Sequence, residues 1–171
     1  WTTVQAGTPG ESHFAAVVEG TTSFHQLTRS AAITRVDDLG GAQTSSVLMD
    51  APTWFAASGE TNLTSFYGFS ISGDYLQFTD STTDQVWRVD KTTGAVSAYA
   101  TEADITALTG ETGATLLTPA DAGPTGEMTF YEGASDSILV TNGANSVQYV
   151  LTAAELTAAT GDSRVSGGLT H

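Results

Sequence analysis

Two stretches, TEADITALTG (Thr101–Gly110) and TAAELTAATG (Thr152–Gly161), are near copies of each other. Both begin with Thr, carry an acid three residues on and end in Gly. A Thr hydroxyl and that acid can satisfy the open amides at a helix start, and a terminal Gly takes the left-handed cap. Each stretch therefore predicts a short helix of about two turns. A chain assembled from copies is restricted to folds in which each unit buries its apolar face against a neighbour.

The copies extend upstream. YLQFTDSTTDQVWRVD (Tyr75–Asp90) lies on MTFYEGASDSILVTN (Met128–Asn142), so that Asp80 falls on Glu132, Asp84 on Asp136 and Val86 on Ile138. Each reads as an alternating strand, an acid, a small polar turn and a second alternating strand. TTGAVSAYA (Thr92–Ala100) and GANSVQYVL (Gly143–Leu151) then add a turn and a third strand. HFAAVVEGTTSFHQLT (His13–Thr28) fits as a further copy when one loop residue is dropped, which puts Glu19 in the place of Asp80. LTRSAAITRVDDLGG (Leu27–Gly41) is its weaker counterpart of the helical stretch, without the acid. Residues 42–72, with WFAASG and FYGFSISG, read as another strand pair. The expectation is one all-β domain of about three antiparallel repeats (11–60, 61–110 and 111–161) with two short helices, and with Val86 and Ile138 buried on equivalent strands.

YGFSISGDYLQFTDSTTDQVWRVDKTTGAV (Tyr67–Val96) resembles a blade of the NHL-type β-propeller family. Gly68 opens the inner strand, Gly73 stands in the turn, and YLQFTD, QVWRVD and TTG follow. The resemblance continues over Gly126–Leu151 with a shortened inner strand and fades over residues 1–40. SDSIL (Ser135–Leu139) is also similar to a signature of repeat-rich secreted bacterial proteins. The resemblance implies propeller-type blades and an extracellular or cell-surface setting, and carries no activity. A propeller typically closes with about four to eight blades. Three blades therefore imply completion by another copy, as a ring or a filament, with the ends Trp1–Gly10 and Ser163–His171 near the contact. The alternative architecture is a threefold β-trefoil or β-prism, which closes within one chain.

The charge balance narrows the partners. Nineteen acids face five bases, for a net charge of −14. Such a surface repels nucleic-acid phosphates and anionic lipid heads. No run is apolar enough to insert in a membrane, and without cysteine there is no thiol chemistry. The sequence opens at Trp1 with no initiator Met or signal peptide, the pattern of a processed form or a fragment.

Candidate chemistry is sparse. Asp80, Asp84 and Asp136 are calcium candidates, because closely spaced carboxylates with Thr and Ser hydroxyls supply the oxygens that Ca2+ prefers. The competing reading makes them acceptors for turn amides. His13, His25 and His171 are the only histidines; His25 stands in an alternating stretch and reads as a partly exposed strand residue. No nucleophile elbow, phosphate loop or dinucleotide fingerprint is present. Scattered aromatics such as Trp54, Trp87, Tyr75 and Tyr149 suit either core filling or stacking on glycans. The expected function is a secreted, non-enzymatic structural or binding protein whose partner is itself. The alternatives are a gluconolactonase- or lyase-like propeller enzyme with a metal site and a carbohydrate-binding module.

Overall fold

The computed structural model describes residues 13–20, 23–28, 32–37, 41–61, 66–80, 82–112, 116–122 and 127–161. The two ends expected near a contact, Trp1–Gly10 and Ser163–His171, lie outside the described residues, as does His171.

Among the described residues the chain is mostly β, with three antiparallel sheets and three short helices, in an order of four strands and a helix that recurs. The first sheet holds β1 (His13–Glu19), β2 (Ser23–Thr28), β3 (Ile33–Asp37) and β4 (Thr44–Met49), followed by α1 (Ala51–Ser58). The second holds β5 (Phe66–Ser72), β6 (Tyr75–Asp80), β7 (Gln85–Asp90) and β8 (Val96–Ala100), followed by α2 (Glu102–Thr109). The third holds β9 (Leu116–Ala122), β10 (Met128–Glu132), β11 (Ser137–Thr141) and β12 (Val147–Leu151), followed by α3 (Ala153–Thr160). Every sheet is an open meander in chain order. β5 lies against both β1 and β9, so first strands adjoin one another. Among the described residues no helix is long and apolar enough to cross a membrane.

The strand registers fix which positions correspond. Ile33 pairs with Met49, Val86 with Ala100 and Ile138 with Leu151, and a bulge follows the first partner each time. Trp54, Ile105 and Leu156 each stand fourth in their helix and are its buried residue. In β6 every residue from Leu76 to Asp80 is buried, because both sheet faces are covered. Alternation in burial therefore disappears although alternation in facing remains.

The two expected helices form with the expected caps. Thr101 and Thr152 make full capping boxes with Asp104 and Glu155, and Gly110 and Gly161 take the left-handed cap. The third helix, α1, corrects the strand reading of WFAASG. Asp50 caps it by accepting from the Thr53 amide at 2.9 Å, with Pro52 in its first turn and Gly59 as left-handed cap. Its first turn lacks an acid, so the Thr-and-acid signature misses it.

The first sheet is also shifted relative to the expected copy. The strand that corresponds to β6 and β10 is β2, so Thr28 falls near the place of Asp80. Glu19 instead closes the β1–β2 turn, paired with Ser23. The stretch expected as a weak helix holds β3, because Ile33 and Val36 alternate inward on opposite faces. The inner strand β9 is as long as β5, not shortened.

Candidate functional site

The most elaborate chemistry in the described chain lies where one sheet meets the next. At the first junction Leu27, Ile33, Met49 and Trp54 pack on Leu76, Phe78, Trp87 and Val89 of the second sheet. Trp54 sets its ring edgewise on Trp87, with centroids 4.9 Å apart, and tilted on Phe78 at 5.4 Å. At the second junction Val86, Tyr99, Ala100 and Ile105 pack on Met128, Phe130 and Leu139. The contact is thus made twice with corresponding residues: Ile33 and Val86, Met49 and Ala100, Trp54 and Ile105 on one side, and Phe78 and Phe130, Trp87 and Leu139 on the other. α1 leans on β8 and α2 on β12, each helix reaching the last strand of the following sheet.

A backbone contact completes both junctions. After β7, Gly94 holds a left-handed φ of 72° and its Cα side faces the Leu48 carbonyl. After β11, Asn145 holds φ 56° and its amide donates to the Tyr99 carbonyl at 2.7 Å. Leu48 and Tyr99 correspond, each directly preceding the last residue of its sheet's fourth strand. The Gly143 amide adds a bond to the Tyr99 hydroxyl at 3.1 Å. A small open cleft of about 220 Å³ lies here, lined by Tyr99, Glu127, Thr141, Asn142 and Gly143.

The first junction carries a charge node. Lys91, in the turn after β7, donates to Glu19 Oε1 at 2.5 Å, and His25 Nε2 donates to Oε2 at 2.7 Å. Arg35 stands 3.9 Å from the same carboxylate while binding Asp37 through Nε. The Lys91 bond, then the His25 bond, holds the Glu19 carboxyl down to about 2 against an ordinary 4.5, with burial opposing. His25 is fully buried, which corrects its reading as partly exposed. The third described base, Arg88, sits 3.1 Å above the Tyr99 ring centre and 4.9 Å from that of Tyr75.

The three calcium candidates fall in two sheets. Asp80 accepts from the Thr82 amide and the Thr83 hydroxyl, both at 3.0 Å, and Trp87 Nε1 donates to that hydroxyl. Glu132 does the same work in the third sheet, accepting from the Ala134 and Ser135 amides at 2.8 and 2.7 Å. Asp84 and Asp136 occupy corresponding left-handed positions, φ 49° and 51°. Asp136 accepts from the Tyr131 hydroxyl. Burial first, then this bond, pushes Tyr131 up to about 12. Among the described residues no three His, Cys, Asp or Glu side chains stand close enough to share a metal ion.

The junctions were not visible in the sequence as sites. The pairing Glu19–Lys91 spans 72 positions, and no local pattern marks it. The recurring pairs of apolar residues before and after each acidic turn were the available signal. No family model, curated protein or solved structure matches this chain.

Proposed function

We propose that this chain is a propeller-like repeat protein of NHL type, secreted and non-enzymatic, that acts as a structural or binding element by assembling with copies of itself at the cell surface or outside the cell. The observation that carries this reading is the junction made twice within one chain. A unit that buries its apolar face only against the next unit is an element for extension, and adjoining first strands with helices reaching forward suit blades arranged about an axis. A contact of this kind generates a ring where the rotation closes and a filament where it does not. The acidic surface keeps such a protein soluble and limits unspecific clumping. Light scattering on the purified chain tests the reading. An oligomer mass, or elongated particles, is expected; a monomer mass at every concentration with full thermal stability overturns it.

A further inference from the structure

We infer that Asn142 and Gly143 form a self-modification site, at which the asparagine amide converts to an aspartyl or isoaspartyl residue, and that the second junction holds the reaction back. The inference is independent of the self-assembly reading. The chain has three asparagines, Asn62, Asn142 and Asn145, and of these Asn142 precedes a glycine. A backbone nitrogen attacks the amide carbon of a preceding asparagine most readily when it belongs to glycine, because no side chain obstructs the approach. Gly143 is exposed with φ 104°, and a Cβ added to it would meet nothing within 4 Å. Asn142 is exposed as well, and its side chain makes no hydrogen bond to a described residue.

The corresponding turn of the second sheet shows what position 142 lacks. Asp90 opens that turn, its amide donating to the Ala95 carbonyl at 3.0 Å as the Asn142 amide donates to Ser146 at 2.9 Å. The Asp90 carboxylate is tied down by the Thr92 and Thr93 amides, at 2.8 and 2.7 Å. Without such bonds the Asn142 side chain can turn towards the Gly143 nitrogen. The restraint lies on that nitrogen instead. The Gly143 N–H donates to the Tyr99 hydroxyl at 3.1 Å, and Tyr99 is buried in the second junction. Asn145 fastens the same turn through its bond to the Tyr99 carbonyl at 2.7 Å. Attack requires the Gly143 nitrogen to swing onto Asn142 and give up its proton. Both bonds to Tyr99 oppose that movement, so the reaction runs when the junction opens.

The steps balance with water as the only co-reactant. The Gly143 nitrogen bonds to Asn142 Cγ, and the side-chain nitrogen leaves as ammonia with the proton from the Gly143 amide. Water then opens the cyclic imide at either carbonyl carbon. One opening restores the normal backbone and leaves an aspartate side chain. The other carries the backbone through the former side chain, which lengthens the turn between β11 and β12 by one carbon. Both products place a new carboxylate at the cleft that Glu127 also lines. The lengthened turn also draws Gly143 and Asn145 away from Tyr99, so the second junction weakens as the protein ages.

Peptide mapping by mass spectrometry, on the full chain aged in warm and mildly alkaline buffer, tests this. Conversion is expected at Asn142, with aspartyl and isoaspartyl products together, and is expected to vanish in Asn142→Gln. Tyr99→Phe removes the hydroxyl that holds Gly143 and keeps the ring. It should age roughly 3–10-fold faster than the parent, the effect of losing one hydrogen bond. If that variant does not fold, the parent's rate in urea below its unfolding transition serves instead, and should rise with urea. Hydrogen exchange in β8 and β12 should be quicker in the aged chain than in the fresh one. Conversion at Asn62 or Asn145 ahead of Asn142, or none in a folded chain whose urea-unfolded form converts, would overturn the site. A Tyr99→Phe rate equal to the parent's, or a parent rate that is flat in urea, would overturn control by the junction. Unchanged exchange after conversion would overturn its weakening.

Discussion

A Cβ added to Gly94 would stand 1.9 Å from the carbonyl oxygen of Leu48. The first and second sheets thus approach at a point where only glycine fits. Gly94 also has φ 72°, which side chains adopt at a cost of about 1–2 kcal/mol. Gly94→Ala therefore combines strain with a backbone clash and should destabilise by about 3 kcal/mol or more. Gly110→Ala is the control: its φ is 77° but nothing lies within 4 Å of the new carbon. It should cost about 1 kcal/mol. Equal shifts in denaturation midpoint for the two variants would mean that the sheets do not meet at Leu48.

Glu19 makes the first junction acid-sensitive. Its carboxyl is held at about 2 in the folded chain by Lys91 and His25, against 4.5 unpaired. The unfolded chain takes up this proton more readily, so the stabilisation is fully present above about pH 4.5. It is lost as pH falls through that value towards 2. With the side chain 27% exposed, solvent screening leaves about 1–2 kcal/mol. Glu19→Gln should be less stable than the parent at pH 7, and the two should converge near pH 2. Parallel stability curves across that window would show that the node contributes no folding energy.

Tyr131 adds a sensitivity at the alkaline end. Its hydroxyl is raised from 10 to about 12 by burial and by the bond to Asp136. The contribution is therefore complete below pH 10 and disappears as pH rises towards 12. Tyr131→Phe should lose about 1 kcal/mol at neutral pH, the usual net worth of such a bond. Urea titrations of parent and variant at neutral pH and above pH 10 measure both effects. A gap that fails to narrow with rising pH would contradict this account.

What the sequence disclosed follows from the range of each interaction. Thr101 with Asp104 and Thr152 with Glu155 act within one helical turn, so their pattern can be read along the chain. The pairings Asp80–Glu132, Asp84–Asp136 and Val86–Ile138 were legible because the second and third sheets keep the same turn length. In the first sheet the link from Leu27 to Ile33 is one residue shorter than that from Thr79 to Val86, and its sequence carries no acid. Similarity of texture then matched the wrong hairpin, one strand early. α1 was hidden because Asp50 caps without a reciprocal acid. The charge node and the carbonyl contacts at Leu48 and Tyr99 depend on how sheets stack, and stacking leaves no local trace.

Removing divalent metal should leave the melting temperature unchanged. Both oxygens of Asp80 already accept hydrogen bonds from its own turn, and Asp136 is bonded to Tyr131. A Ca2+ ion prefers about six to eight oxygens, and taking Asp80 would break the chain of bonds that reaches Trp87. Melting curves with and without a chelator decide the matter. A fall on chelation, reversed by calcium, would restore Asp80, Asp84 and Asp136 as ligands.

Val86 offers the sharpest test of the repeated junction. It is fully buried in β7, opposite Thr79 and Ala100, and packs with Ile105 of its own unit and with Met128, Phe130 and Leu139 of the third. Val86→Asp would place a desolvated carboxylate among these apolar groups. An unpaired buried charge costs about 3–5 kcal/mol, a large part of the roughly 5–15 kcal/mol by which domains are stable. Val86→Ala only empties volume and should cost about 2 kcal/mol. The spread of the damage is more informative than its size. Because the cluster is shared, hydrogen exchange should quicken in β10 and β11 as well as in β7, while the first junction keeps more of its protection. Loss confined to β7, or a Val86→Asp chain that melts with the parent, would show that the second and third sheets are not held together by this contact.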